Sequence, residues 1–245
     1  MRMAPLVGHR VAAAGPGYQS PFGLAEAIDG QVLESVQARG KHLLAGFGNG
    51  RILHSHLRMS GAWHVYPEGR PWARSAKSAW LTLAANGLVA VQFGGPVLEL
   101  LDPARIALHP ALRSLGPDLL DDDPRIDVAV GRARERSHAT RPIGEVLLDQ
   151  TVAAGIGNVV RCEALYALRV DPWAPSGDLS DETLAGLFEH SRQVLQAGVR
   201  AGGPLPKVIY GARRCRRCGG AVRRRGQGDE ARIVHWCPAC QTLCK

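Results

Sequence analysis

Near its C-terminal end the chain carries two Cys-x-x-Cys pairs, Cys215-Arg-Arg-Cys218 and Cys237-Pro-Ala-Cys240, with 18 residues between them. Each pair sets two thiolates on one tight knuckle, and two knuckles complete a tetrahedron around a borderline-soft metal. This spacing reads as a structural four-cysteine site for Zn2+, one ion per chain. Between the knuckles lie Ala221 to Arg225, a polar turn Gly226-Gln-Gly-Asp229, and Arg232 to Trp236, which predict two short strands around a Gly-rich turn. A hairpin so small has almost no core, so metal must hold it, and structural zinc in such peptides is worth about 10–16 kcal/mol. The alternatives for the same cysteines are a disulfide pair or free buried thiols. Nothing in the chain looks secreted, which counts against the disulfides.

Charge sits in the same place. From Lys207 to Lys245 there are ten basic side chains against two acids, Asp229 and Glu230, a balance equal to the formal net charge of +8 carried by the whole chain. A neutral body with a basic hairpin is the electrostatic footprint of a nucleic-acid binder. The competing reading is a solvated charge run with no partner.

At 245 residues the chain can bury a sizeable core and divide into two or three units. No run approaches the ~18 apolar residues of a membrane helix. Met1-Arg-Met-Ala-Pro5 has neither the apolar segment nor the cleavage site of a signal peptide. The six cysteines divide into the four ligands plus Cys162 and Cys244, which suits a reducing cytoplasm, with association to the nucleoid.

The fold class expected is α+β with several domains: a β-sandwich over 1–115, a helical DNA-binding domain over 116–206, and the zinc hairpin over 207–245. In the first part, Asn49-Gly50 and Asn86-Gly87 each separate apolar runs, and Asn-Gly is the strongest short hairpin signal. The hairpins would be 41–47 with 51–57, and 79–83 with 88–93. The acidic, proline-bounded stretch from Gly116 to Pro124 reads as a linker. Further on, Leu184, Leu187, Phe188, Val194, Leu195 and Val199 recur at helical spacing behind Ser180 as N-cap, with a Gly/Pro-rich connection over 198–206. Between these, an apolar helix over 142–150 is expected to run into a turn with Gly155 and Gly157. A second helix would start at Asn158 as its cap and stop before Pro172. A helix N-terminus with free amides is a seat for phosphate, although an ordinary helix hairpin would read the same way.

Taken together, Asp149-Gln150, Ala154-Gly-Ile-Gly-Asn158, Glu163-Ala-Leu165, Tyr210-Gly-Ala-Arg213, Arg232 with Cys237-Pro-Ala-Cys-Gln241, and in the β part Arg39-Gly-Lys-His-Leu43, His56-Leu-Arg-Met-Ser-Gly61 and Leu115-Gly-Pro-Asp-Leu119 carry a resemblance. The chain resembles the formamidopyrimidine-DNA glycosylase and endonuclease VIII family over nearly its whole length, and the endonuclease VIII-like branch most. The resemblance implies a β-sandwich, a helix–two-turn–helix domain and a zinc finger. It also implies excision of oxidised bases from double-stranded DNA followed by cutting of the abasic strand, by a monomer. By resemblance Lys41 is the lysine that contacts DNA at the lesion and supports catalysis. Met59 is the wedge behind the flipped base, where a core role is the alternative, and Phe93 is a stacking residue on the opposite side. Asn158 and Arg232 grip the phosphates flanking the extruded nucleotide. His54 is expected to be structural, and His56 to lie near the DNA. Flipping costs a few kcal/mol, so a wedge and two phosphate anchors make chemical sense.

Two departures stand out. The family begins with Pro-Glu after the initiator methionine, the proline amine forming the Schiff base and the glutamate handling protons. This chain begins Met1-Arg-Met-Ala-Pro-Leu-Val-Gly-His-Arg10. The expectation is a start placed downstream, or a product that has lost its nucleophile. In that case the alternative function is a catalytically inactive damaged-DNA binder of the same fold. A zinc-ribbon transcription or translation factor would explain the cysteines and charge but not Ala154 to Asn158 or His56 to Gly61. The second departure is Val91-Gln92-Phe93, where much of the family has Arg-Arg-Phe. It turns the reading toward oxidised pyrimidines.

Overall fold

In the computed structural model, which describes residues 3–242, two compact units follow one another, 1–113 and 114–245. Asn86 and Gly87 show why the first unit is made of hairpins. Both have positive φ, +52° and +68°, so the two-residue turn twists with the strands it joins.

The first unit holds β1 (Ala12–Ala14), β2 (Leu33–Arg39), β3 (His42–Phe47), β4 (Ile52–His56), β5 (Ala62–Pro67), β6 (Ala79–Ala85), β7 (Leu88–Phe93) and β8 (Val97–Leu101). These are followed by two short helices, α1 (Pro103–Leu108) and α2 (Pro110–Arg113). Two four-stranded sheets run in the orders β1-β6-β7-β5 and β2-β3-β4-β8, with antiparallel pairing throughout. Alternate residues of both sheets form one apolar core, with Leu6, Ile28, Leu33, Phe47, Leu53, Leu81 and Leu83 all buried. The β-sandwich expected from the turn spacing is therefore present. Both Asn-Gly pairs sit where expected, between β3 and β4 and between β6 and β7.

The second unit contains α3 (Ile126–Arg134), α4 (Arg136–Ala139), α5 (Ile143–Val146), α6 (Asn158–Ala167), α7 (Asp181–Ala201), β9 (Arg223–Gln227) and β10 (Arg232–Trp236). Helix α7 has the Ser180 cap read from the sequence, its hydroxyl accepting from the Thr183 amide. It buries Leu184, Leu187, Phe188 and Val194 against Ile156, Val160 and Leu165. It runs on to Ala201, so the first half of the expected connection over 198–206 is helix. The helix expected over 142–150 is only the single turn α5, because Asp149 and Gln150 turn the chain instead. Asp149 accepts from the amide and hydroxyl of Thr151, and the Gln150 side chain bonds Leu148, Ile156 and the Gly155 amide. In the terminal hairpin β10 falls on the residues read from the sequence, while β9 runs two residues further, through Gln227, and Gly228 to Ala231 make the turn. Among the described residues no helix is long and apolar enough to cross a membrane.

Candidate nucleic-acid interface and metal centre

The four cysteine sulfurs lie within 4.8 Å of one another, with Cys215 and Cys240 at 3.8 Å and Cys218 and Cys237 at 3.5 Å. Tetrahedral bonds of about 2.3 Å from sulfur to one ion put the sulfurs about 3.8 Å apart, so the tetrad fits a metal. Burial pushes the Cys215 thiol up. A hydrogen bond with the Tyr166 hydroxyl and bonds from the amides of Cys218 and Arg217 outweigh it and leave the thiol at about 6, whereas its neighbours in the tetrad push Cys240 up to about 12 and burial pushes Cys237 up. Cys162 lies apart from the tetrad: it is buried, its sulfur accepts from the His235 amide, and burial raises its pKa. Cys244 lies outside the described residues.

Three buried polar groups fasten this hairpin to the helices. The Glu163 carboxylate on α6 accepts from the amides of Val208, Ile209 and Tyr210 at 2.9–3.3 Å. Gln241 accepts from the Cys237 amide and donates to the Val170 carbonyl. Arg161 is fully buried and donates to Asn158 Oδ1, Gly144 O, Gln227 Oε1 and Arg232 O at 2.6–3.1 Å. All four acceptors are neutral oxygens. Burial lowers the Arg161 pKa, yet a guanidinium stays charged, so a cation is held inside the protein where α6 begins.

Asn158 is the first residue of α6, and Gly157, not Asn158, is its N-cap. The reason is that the Asn158 side chain points away from its own helix end. Its amide nitrogen donates to Ile233 O at 2.9 Å and its oxygen accepts from Arg161. Arg232, at the start of β10, pairs through Nε and Nη2 with Glu230 Oε2 at 2.8 and 2.6 Å. Asn158 and Arg232 are thus brought to one place, the meeting of a helix N-terminus with the hairpin. The basic run is not all open to solvent. Arg217 lies over the Tyr166 ring at 4.2 Å and donates to the carbonyls of Tyr166 and Ala167, closing the C-terminus of α6. Arg223, Arg224 and Arg225 are exposed.

In the first unit Lys41 is exposed in the two-residue turn Gly40-Lys41 between β2 and β3, rather than within a strand. Its charge acts on His56, at the end of β4, whose pKa is lowered first by burial and then by Arg58 and Lys41. Met59 is 79% exposed in the turn after β4, so the core alternative is excluded for it. Gly61 anchors that turn. A Cβ there would stand 2.8 Å from both Gly95 Cα and Leu57 O, and only glycine lets the backbones approach so closely. Phe93 is buried, not at the surface. It is 1% exposed, with edge contacts to His64 and Trp72 and the Arg74 guanidinium over its ring. With those neighbours on it, no ring face is available for stacking in this conformation, because the end of β7 turns inward with the core. Gln92 is fully buried as well.

Sequence reasoning missed Arg161 and Gln227. The signal for Arg161 was a lone arginine in an apolar helix, three residues from Asn158 and hence on its face. It also missed Glu99 and His109, which join His42, His54 and His56 in a polar cluster on the β2-β3-β4-β8 sheet.

Comparison with known proteins adds the following. Residues 6–93 match the formamidopyrimidine-DNA glycosylase N-terminal domain, and residues 115–207 match the formamidopyrimidine-DNA glycosylase H2TH domain. The chain is 38% identical to the probable endonuclease 8 2 of Streptomyces coelicolor, over 87% of this chain and 80% of that protein. It is 33% identical to endonuclease 8 1 of Mycobacterium tuberculosis, over 98% and 97%. It is also 33% identical to the DNA-(apurinic or apyrimidinic site) lyase Nei2 of Mycolicibacterium smegmatis, over 88% and 84%. The crystal structure of the Lactococcus lactis formamidopyrimidine-DNA glycosylase, non-covalently bound to DNA containing an abasic site, superposes with a TM-score of 0.81. It is 23% identical over 97% of this chain and 94% of that one, a likeness of fold.

Proposed function

We propose that this chain, which belongs to the formamidopyrimidine-DNA glycosylase and endonuclease VIII family, is a base-excision repair protein that grips duplex DNA at oxidised pyrimidines and abasic sites. On this reading it acts as a monomer, removing the base and cutting the strand. The observation that carries the reading is the joint at the start of α6. There the N-terminus of α6, Asn158 and Arg232 meet, held in place by the buried Arg161 guanidinium, an arrangement suited to a phosphate. The M. smegmatis relative is named as an abasic-site lyase, and the L. lactis structure holds abasic-site DNA. Buried Gln92, in place of an arginine, supports pyrimidines over guanine lesions.

In this reading Lys41 and His56 meet the backbone near the lesion and exposed Met59 fills the gap left by the flipped base. Cys215, Cys218, Cys237 and Cys240 hold Zn2+, chosen by an all-sulfur tetrahedral donor set, and the ion keeps β9 and β10 in shape. To reach a phosphate, Arg232 exchanges Glu230 for it. Arg232→Ala is expected to weaken binding to an abasic-site duplex more than to undamaged DNA, and equal losses on both would overturn the phosphate role. If six cations of the finger touch phosphate, log K against log salt falls with a slope of about −5.

A second reading is a protein that grips damaged DNA without cutting it. Pro5 itself lies inside a single 3-10 turn, Ala4–Leu6, with its nitrogen in a peptide bond, and so is not the amine of a lyase. Borohydride trapping of residues 1–245 on an abasic duplex separates the two. A covalent adduct establishes the lyase, with Lys41→Ala testing that amine. Binding with no adduct establishes the silent binder.

A further inference from the structure

The first unit contains a set of side chains that DNA binding does not use. His54 lies in the middle of β4 and Glu99 directly opposite it in the middle of β8, so both project from one face of the sheet. His109 ends α1, whose first turn is capped by Asp102 one residue beyond β8. This short connection folds His109 back over the pair. Glu99 Oε1 lies 2.9 Å from His54 Nδ1 and 3.3 Å from His109 Nε2, and the two rings meet edge to face at 4.8 Å. One ligand atom from each of the three residues falls within a 4.8 Å set. The geometry points to a second metal site, formed by His54, Glu99 and His109, for a divalent first-row transition ion.

Four features support it. Two imidazoles and one carboxylate are the donors that zinc, cobalt, nickel and ferrous iron accept and that calcium and magnesium do not favour. The His54 ring is 1% exposed and rigidly placed, whereas the Glu99 side chain is 40% exposed, so the site has a fixed wall and an open side for entry. The neighbouring shell is ready: His42 Nδ1 stands 2.8 Å from His54 Nε2. An ion on Nδ1 leaves Nε2 carrying the hydrogen, which it donates to His42, and this is how ligating imidazoles are commonly oriented. His42 in turn packs on His56 at 4.5 Å, so occupancy of the site fixes the ring beside the Lys41 turn. With three protein ligands at least one position stays open to water, unlike a closed four-cysteine site.

The competing account is a hydrogen-bonded trio around one carboxylate oxygen, and counting metal separates the two. The full chain, with zinc in its cysteine tetrad, is dialysed to equilibrium against micromolar Zn2+ and analysed for metal. The expected result is two zinc ions per chain for the natural sequence, and one each for Glu99→Gln and His109→Ala. A calorimetric titration should show the second event weakened at least tenfold in both variants. Glu99→Gln is nearly isosteric and retains a hydrogen-bond acceptor, so a folded variant with one zinc speaks for the site even if His109→Ala unfolds. A single zinc in the natural chain overturns the proposal. So does a second zinc retained in Glu99→Gln.

Discussion

The sandwich and the joint between the finger and α6 are held by different means. The sandwich closes on apolar side chains from both sheets, with Leu33, Leu53, Leu81 and Leu83 excluding water between them. The finger and its helix share a small apolar cluster of Cys162, Tyr166, Ile209 and Val234, and add to it a set of buried polar groups: a guanidinium on four neutral oxygens, a carboxylate on three amides and a glutamine bridging a cysteine knuckle to Val170. An apolar core tolerates moderate reshaping, because its attraction is non-directional and roughly proportional to area. A polar joint demands that every partner stay in place, since each orphaned buried group forfeits its solvation.

Removing the metal ligand Cys237 tests the polar side hardest. Cys237→Ser should lose the ion of the tetrad and, with it, a share of the roughly 10–16 kcal/mol that structural zinc contributes in isolated fingers. Metal analysis and amide exchange check it, and protection of β9 and β10 should vanish while the sandwich stays protected. A finger that keeps its protection without metal would mean the polar joint suffices alone. Arg161→Met comes next. It keeps much of the side-chain length but leaves the oxygens of Gly144, Gln227 and Arg232 without their donor, at a cost of about 3–5 kcal/mol. The loss should register as loosening of the hairpin and as weaker DNA binding, with the unfolding of the sandwich unchanged. Leu53→Ala is the apolar counterpart. A cavity at this fully buried position should cost about 3 kcal/mol and lower the melting of the first unit alone. If it loosened the hairpin equally, the two units would not be independent.

The smallest effect is one of pH, and it also falls on one side. Burial, reinforced by His56, His54, His109 and Arg39, lowers His42 from 6.5 to about 4, and burial lowers His54 and His56 too, against the pull of Glu99 on His54. Because the unfolded chain takes up these protons at higher pH than the folded one, stability is full above about 6.5 and declines as pH falls toward 4. Melting of the first unit within the full chain, followed across that range in a chelating buffer, should show the decline, and it should diminish in His42→Gln. Cys162, buried and high in pKa, should be silent in both assays.

Much of the sandwich was legible because its signals are local. The two Asn-Gly pairs sit at turns of the expected kind, and Ser180 caps the helix it was read to cap. The cysteine spacing likewise reports a tetrad, since two knuckles can converge on little else. Local signals failed where another segment supplied the partner. Asn158 reads as a cap until Ile233 and Arg161 claim its side chain, and Gly157 is left with that place. Phe93, a stacking candidate by resemblance alone, is packed in this structure against Trp72 and His64. The hairpin turn moved two residues because Gln227 is held by Arg161 and Pro172, a pairing invisible along the chain.

What the sequence by itself determined is therefore the class of fold, the metal tetrad, the concentration of positive charge and the family, all carried by residue type at short spacing. Tertiary structure alone decided which charges are spent. It buried Arg161, closed α6 with Arg217, paired Arg232 with Glu230 and brought Glu99 and His109 to His54. The physical reason is that an ionisable side chain has its chemistry set by what desolvates and faces it. Apart from Glu230 beside Arg232 and Asn158 beside Arg161, those groups come from residues 10 to 71 positions away, beyond the reach of a short-spacing pattern.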